Sequence, residues 1–361
     1  MGKTKRIGII RTDNHSLLYG ACWGPYDRYE FRKASGQLDI MEAGTKPVIP
    51  FTDTEVTACW NEPLETVALS AQQFAKAFNC TVYENLEDMA DPEIVDGVFI
   101  GNCSFDGEDH YRLCEPFIKK GIPVLFDKPF ADNAANAKKI IDLAREYNVP
   151  IHTASILLYC DANMYLKGDY VEMLPDKNIG KPMMITCSFR SRMEWRNASS
   201  HMFQAVFGAM RELCGDYKVK SVQYIASDAG RNPDRDFGDG EVYSCLFEDG
   251  TVGIINCNSF GSYAYRIDIY GHNSISTEYV NEPLLRGGCI RIADQFSRMI
   301  SDKKQIIHYD RMFEMVACID AALRSRDEGG RAVTIEEIAA DVGYELGGYG
   351  FNKLEEKEEE K

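Results

Sequence analysis

The feature that most constrains this chain is an alternation running through its first 150 residues. Short apolar runs at residues 6–10, 55–60, 95–100, 122–126 and 149–153 are separated by segments whose apolar side chains recur at helical spacing. Over 66–79 these are Val67, Ala71, Phe74, Ala75 and Phe78. A helix over 111–120 stops at Gly121, and Asp132 or Asn133 can cap the next one, with Ala137, Ile140, Ile141 and Ala144 on one face. Parallel strands need long crossovers, and strands that are apolar on both faces need cover on both sides. The pattern therefore predicts an α/β fold: an N-terminal Rossmann-like parallel sheet domain over residues 1–154. Residues 21–54 break the pattern. They are rich in Gly, Pro and aromatic residues, show no clear period, and read as an insertion.

Beyond residue 155 the period changes. Strands are expected at 182–189, 219–227, 241–247, 251–258 and 265–270, with Glu248-Asp249-Gly250 as a tight turn between two of them. One helix carries Phe203, Val206, Phe207, Met210 and Leu213 on one face and ends at Gly215. A second runs over 309–326. This predicts a C-terminal α+β domain, 155–353, with a mainly antiparallel open sheet. Residues 354–361, with five Glu and two Lys, have nothing to bury and read as a disordered tail.

Composition narrows the partners. Forty Lys and Arg against 56 Asp and Glu leave a net charge of −16, which repels nucleic acid and anionic lipid. No apolar run approaches the roughly 18 residues of a membrane helix, and the first residues carry no signal-peptide pattern. The 12 Cys residues are scattered without a C-x-x-C pair, as expected of thiols in a reducing cytoplasm. The sequons at Asn79, Asn102 and Asn197 are then chance matches. The six His residues lie far apart and suggest no metal site. An acidic body favours a neutral small-molecule substrate over a sugar phosphate.

In open parallel sheets ligands bind beyond the carboxyl ends of the strands. There this sequence places Arg11, Thr12, Asp13, Asn14 and His15 after the first strand and Asn61 after the second. Gly101, Asn102, Cys103 and Ser104, with His110 nearby, follow the third. Asp127, Lys128 and Pro129 follow the fourth. Lys128, directly behind a buried strand and ahead of a proline, can hydrogen-bond a substrate hydroxyl and favour its ionisation. His201, near the start of a helix behind Asn197, is a candidate general base.

The run from Gly121 to Ala131 with Asp127-Lys128-Pro129 at its centre resembles the glucose-fructose oxidoreductase, inositol dehydrogenase and rhizopine catabolism family (Gfo/Idh/MocA). So do Val95-Asp96-Gly97-Val98-Phe99-Ile100, His110, Ile179-Gly180-Lys181-Pro182, the helix of His201, Asp249-Gly250 and the Ser325 region. The resemblance spans nearly the whole chain in order. It implies a Rossmann domain followed by an α/β domain whose open sheet forms a homo-oligomer contact. The implied reaction is hydride transfer between NAD(P) and a hydroxyl carbon of a sugar, inositol or diol. It puts the catalytic Lys on Lys128 and the D-x-x-x-H pair on Asn197 and His201. Arg11, Thr12, Asp13, Asn14, His15, Asn61, Asn102, His110, Asp127, Lys128 and Pro129 are assigned to the cofactor.

Three positions depart from the pattern. Arg11, Asp13 and Ser16 stand where G-x-G-x-x-G has glycines. Asn61 replaces the acidic residue after the second strand, and Asn197 replaces the Asp beside His201. The expected protein is an NAD-dependent oxidoreductase acting on a secondary hydroxyl, at C3, of a sugar or glycoside, with NADP the less favoured cofactor. Trp23, Tyr26 and Tyr29 are placed to stack on that substrate. The alternatives are a non-enzymatic NAD-binding or regulatory relative, or a diol or inositol dehydrogenase.

Overall fold

The computed structural model describes residues 3–37, 50–62, 69–102, 106–164, 166, 178–225, 240–257, 265–280 and 282–347. Val67, Cys103, Ser104, residues 38–49 of the interrupting segment and the charged tail lie outside them.

Two units emerge. The first comprises residues 1–131, 139–153 and 289–306. Its strands β1 (Lys5–Ile10), β2 (Thr54–Trp60), β3 (Thr81–Val82), β4 (Gly97–Ile100), β5 (Val124–Phe126) and β6 (Ile151–Thr153) form one parallel sheet in the order β3-β2-β1-β4-β5-β6. This is the doubly wound arrangement of a Rossmann fold. Ile7, Ile9, Ile10, Val98, Phe99, Ile100, Val124 and Phe126 have no exposed surface, as strands covered on both faces require.

The helices of this region are α1 (Asn14–Trp23), α2 (Arg28–Gln37), α3 (Ala71–Phe78), α4 (Leu86–Met89), α5 (His110–Ile118) and α6 (Ala134–Tyr147). The segment read as an insertion thus holds the end of α1 and all of α2. Helix α3 starts later than residue 66 because Ser70 caps it, with Gln73 closing a capping box. Asn133 caps α6, accepting from the Asn136 N–H at 2.9 Å.

The second unit comprises 132–138, 154–288 and the described residues from 307. It holds α7 (Asp161–Met164), β7 (Pro182–Phe189), α8 (Arg196–Cys214), β8 (Val219–Tyr224), β9 (Glu241–Phe247), β10 (Val252–Cys257), β11 (Tyr265–Gly271) and β12 (Ile275–Val280). After α9 (Glu282–Asp302) come α10 (Tyr309–Asp327), β13 (Val333–Thr334) and α11 (Ile335–Val342). The sheet runs β12-β11-β7-β10-β9-β8-β13 and is antiparallel except between β7 and β10. Tyr243, Cys245, Phe247, Ile255 and Cys257 are buried on one face, while Val242, Ser244, Leu246, Val252, Ile254 and Asn256 stay half-exposed on the other.

Residues 289–306 belong to the first unit, which a single division near residue 155 does not contain. The packing explains it. Trp23 donates its indole N–H to Ala293 O at 3.1 Å, and Gln295 pairs with His152 at 3.1 Å. Gly97 has no room for a Cβ, which would lie 2.6 Å from Ile300 and 2.9 Å from Phe296.

Candidate active site

In the first sheet the winding reverses between β1 and β4, so the loops leaving these strands form its ligand crevice. The loop after β1 runs from Arg11 to Ser16. Arg11 occupies the place of the first glycine and, although only 1% exposed, sits at φ +63. For a residue with a Cβ this conformation costs about 1–2 kcal/mol. The surroundings enforce it. Arg11 N–H donates to Trp60 O at 2.9 Å, the Ser16 hydroxyl donates to Arg11 O, and the guanidinium pairs with Asp109 and reaches Asn102 Oδ1 at 3.3 Å.

Asp13, at the second glycine position, is the N-cap of α1 and accepts from Ser16 N–H at 2.9 Å. Ser16 holds the third position. The glycine needed for close approach of helix and sheet lies across the contact. A Cβ on Gly101 would stand 2.5 Å from Ser16 Oγ, 2.8 Å from Asp13 Oδ1 and 2.9 Å from Arg11 O.

Asn14 and His15 open α1. His15 Nδ1 lies 2.5 Å from Asp127 Oδ2, and the same carboxylate oxygen accepts from Asn102 N–H at 3.2 Å. Burial alone would raise the Asp127 pKa. Pairing with His15 and the neighbouring Lys128 outweigh it and hold the group below the usual carboxylate range. Lys128 follows, 2% exposed, joined to Pro129 by a cis peptide. Beyond it, Phe130 O lies 2.9 Å from His110 Nδ1. Burial pushes His110 below the ordinary imidazole value, so we assign a neutral ring whose Nδ1–H donates to that carbonyl. Gly107, at φ +84, leaves space for Pro129 O, which a Cβ there would meet at 2.8 Å. The turn bearing Lys128 is thus held by Asp127 and His15 before it and by His110 and Gly107 after it.

Asn61 ends β2. Its amide N–H groups donate to Thr12 Oγ1 at 3.0 Å and Leu69 O at 3.1 Å, and Thr12 donates to the same carbonyl at 2.8 Å. Asn61 Oδ1 remains a buried acceptor with no partner among the described residues. Glu62 follows and pairs at 2.7 Å with Arg112 of α5, which also lies 3.4 Å from Asp109. Sequence order conceals this cation beside the end of β2.

In the second unit, α8 begins at Arg196, so His201 lies in its second turn rather than its first, only 6% exposed. The ring is fixed by Ser155, whose Oγ pairs with His201 Nδ1 and accepts from Leu157 N–H at 3.0 Å. Gln204, one turn along, accepts from Ser155 N–H at 2.6 Å. Asn163 ties the same turn to the helix, donating to Leu157 O at 2.9 Å and Ala205 O at 3.1 Å. Gly208 permits this closeness: its Cβ would lie 2.4 Å from Leu158 O. Tyr265 and the imidazole meet edge to face at 5.5 Å between centroids, and Tyr265 stacks on Phe189 at 3.9 Å. Asn197 stands one helical turn before His201, and its carbonyl accepts from Ser200 Oγ at 3.1 Å. Ser155 and Gln204 are not among the candidates that the sequence offers. The strand-end rule that led to Lys128 leads equally to Ser155, two residues beyond β6.

The aromatic residues expected to stack on a sugar divide. Trp23 has no exposed surface and packs on Tyr19, Phe99 and Phe296, so it belongs to the core and not to a binding face. Tyr26 lies against Phe31 at 4.5 Å, while Tyr29 is 75% exposed. Among the described residues, no group of three or more His, Cys, Asp or Glu side chains could hold a metal ion. Within the same residues no helix is long and apolar enough to cross a membrane.

Residues 49–155 match the family model of Gfo/Idh/MocA oxidoreductases with an NAD-binding Rossmann fold. Solved structures with the same fold include GenD2 from gentamicin A biosynthesis in complex with NAD (15% identity, TM-score 0.66, covering 92% of this chain and 97% of that one). They also include a putative myo-inositol dehydrogenase from Sinorhizobium meliloti (18%, TM-score 0.65, 92% and 100%). A third is myo-inositol dehydrogenase from Lactobacillus casei in complex with NAD(H) and myo-inositol (14%, TM-score 0.64, 96% and 98%). A comparison with curated proteins found no match. Within the dinucleotide domain the chain matches that family's sequence model, and the two-sheet architecture predicted from the sequence is the architecture observed.

Proposed function

We propose that this chain is an NAD-dependent oxidoreductase that converts a secondary hydroxyl of a small neutral polyol, a sugar, glycoside or inositol, to the ketone. The observation that carries the reading is the buried Lys128 ammonium at the carboxyl edge of the parallel sheet, in a turn held on both sides. A cation kept there serves a developing alkoxide better than it serves solubility.

The residues present fit a dinucleotide. The orphaned Asn61 Oδ1 would accept from a ribose hydroxyl, and the first-turn N–H groups of α1 would face the diphosphate. When bound, NAD supplies the hydride acceptor. Lys128 holds the substrate oxygen and lowers the pKa of its hydroxyl. His201 takes the proton: with Nδ1–H donating to Ser155 Oγ, its Nε2 carries the lone pair a base needs. Asn197 serves as a positioning residue for that ring. NAD is preferred over NADP because Arg112, which would face a 2′-phosphate, is already answered by Glu62 and Asp109.

At the finer level we carry the C3 hydroxyl of a glycoside as the substrate position, with Tyr29 as the described, solvent-open aromatic residue of the segment near it in sequence. The assembly we propose is a homo-oligomer through the open sheet. Leu246, Val252, Met184, Tyr270 and Ile275 form one cross-strand apolar row on that face, and Ile275 is 65% exposed. The setting is cytoplasmic, in keeping with the free thiols.

The test is a panel of sugars, glycosides and inositols offered with NAD+ while nicotinamide reduction is followed. A substrate should appear, and Lys128→Ala should abolish its turnover with NAD+ binding retained. Undiminished turnover by Lys128→Ala overturns the reading.

A further inference from the structure

His201 and Gln204 lie three residues apart on α8 and are neighbours on one face of it. Both are held by the same residue. Ser155 Oγ pairs with His201 Nδ1, and Ser155 N–H donates to Gln204 Oε1 at 2.6 Å. The second bond orients the amide: a backbone N–H takes the oxygen, so the nitrogen lies on the other side. Gln204 is only 2% exposed. Its Nε2 nonetheless donates to none of the described residues, and it is not sealed inside as Asn163 Oδ1 is on the adjoining turn. A side chain buried to this extent normally has its donors answered. Here the oxygen is pinned and the donor is left open beside the imidazole.

We propose that Gln204 is a specificity-determining residue of the substrate site: its Nε2 donates to a second substrate oxygen, on a carbon beside the one oxidised. The proposal rests on the function argued above and narrows it. The substrate is a polyol with a hydroxyl adjacent to the reacting one, held at two oxygens along α8, and not an isolated secondary alcohol. The donor is uncharged, so it suits a neutral hydroxyl. Because Ser155 fixes the amide before substrate arrives, little ordering is lost on binding.

The experiment follows NAD+ reduction by the full chain on whichever of methyl β-D-glucopyranoside, methyl β-D-galactopyranoside and myo-inositol is oxidised fastest. Beside this parent stand analogues in which a hydroxyl next to the reacting carbon is replaced by hydrogen or by fluorine. Wild type should lose about tenfold or more in kcat/KM on one deoxy analogue. Gln204→Met should lose a similar factor on the parent and treat the parent and that analogue alike. Gln204→Glu keeps an acceptor for Ser155 N–H and turns the donor into an acceptor. It should penalise the fluoro analogue, whose fluorine accepts and cannot donate, more than wild type does, and it decides the matter if Gln204→Met does not fold. Equal losses by Gln204→Met on the parent and every deoxy analogue mark a structural role and overturn the proposal. So does a wild type indifferent to deoxygenation, or a Gln204→Glu protein with the wild-type ranking of analogues. Each of these leaves the proposed function standing. No oxidation of any of the three parents by wild type overturns both.

Discussion

Gly101→Ala is the sharpest probe of the crevice. Gly101 is not at positive φ, so alanine adds no backbone strain and the whole effect comes from volume. The new Cβ would lie 2.5 Å from Ser16 Oγ, about 0.9 Å inside ordinary contact, which begins at 3.4 Å. It would also lie 2.8 Å from Asp13 Oδ1 and 2.9 Å from Arg11 O, so the loop must shift as a body. Overpacking of this kind costs about 1–3 kcal/mol. If the shift breaks the Ser16 hydroxyl's bond to Arg11 O, about 1 kcal/mol is added. We expect a loss of roughly 2–4 kcal/mol in urea unfolding and weaker dinucleotide binding, because α1 is displaced from β4. Ser16→Gly alone loses only the hydroxyl's bond. In combination it removes the shortest clash, so the double variant should be more stable than the sum of the single losses by about 1 kcal/mol or more. Strict additivity, or a Gly101→Ala protein as stable as wild type, would refute the claim that the glycine serves this contact.

Other consequences can be measured independently. Ser155→Ala should lower kcat about tenfold to a hundredfold with little change in KM and move the pH profile, while Ser155→Thr retains most activity; an unmoved profile removes Ser155 from the role of orienting His201. His152 is buried and neutral, its pKa lowered to about 4 by desolvation, against which Gln295 acts weakly. The unfolded chain therefore takes up this proton first. The stability contributed is complete above pH about 6.5 and is lost as pH falls toward 4, about 3 kcal/mol across the window. His152→Gln should flatten that slope in denaturant midpoints taken from pH 7 to 4.5, and parallel curves would exclude the assignment. On the open sheet, Ile254→Lys or Met184→Lys should shift the assembled mass to that of one chain in light scattering; a wild-type monomer ends that proposal.

The sheet domains were legible because their strands obey simple rules. The parallel strands are apolar runs, and β9 and β10 alternate inward and outward around a Glu248-Asp249-Gly250 turn whose glycine takes φ +88. Elements that escaped notice did so for local reasons. Helix α1 is buried on most of its surface, with Leu17, Tyr19, Ala21, Cys22 and Trp23 all inside, so no polar face marks its period. Helix α9 contains Gly287-Gly288, which propensity reads as a break. Yet a Cβ at 288 would lie 2.0 Å from Ile156 O, so tertiary packing demands the glycine that local preference disfavours. Strand β12 lies at a sheet edge with Ile275, Thr277, Glu278 and Tyr279 exposed, and no alternation survives there. Lys128 and His201 are candidates by their positions in the sequence, but the partners around the candidate residues are not legible there. Asp109, Gly107 and Gln204 act across distances in sequence that no local spacing encodes.

The crevice loop shows why the fingerprint itself failed to appear. G-x-G-x-x-G compresses three separate requirements into three letters: a left-handed turn, an approach for phosphate, and close packing of helix on strand. Only the first is tied to one residue's backbone, and even there a dense set of hydrogen bonds supports Arg11 at φ +63. The third belongs to a contact with two sides, and either side can supply the missing Cβ. Gly101 follows β4, nearly a hundred residues from the loop it serves, so no motif confined to the β1 loop can register it. Restated as a spatial condition, one glycine on either side of the α1–β4 contact, the requirement is met. The second place is held by Asp13, which caps α1 by accepting from Ser16 N–H.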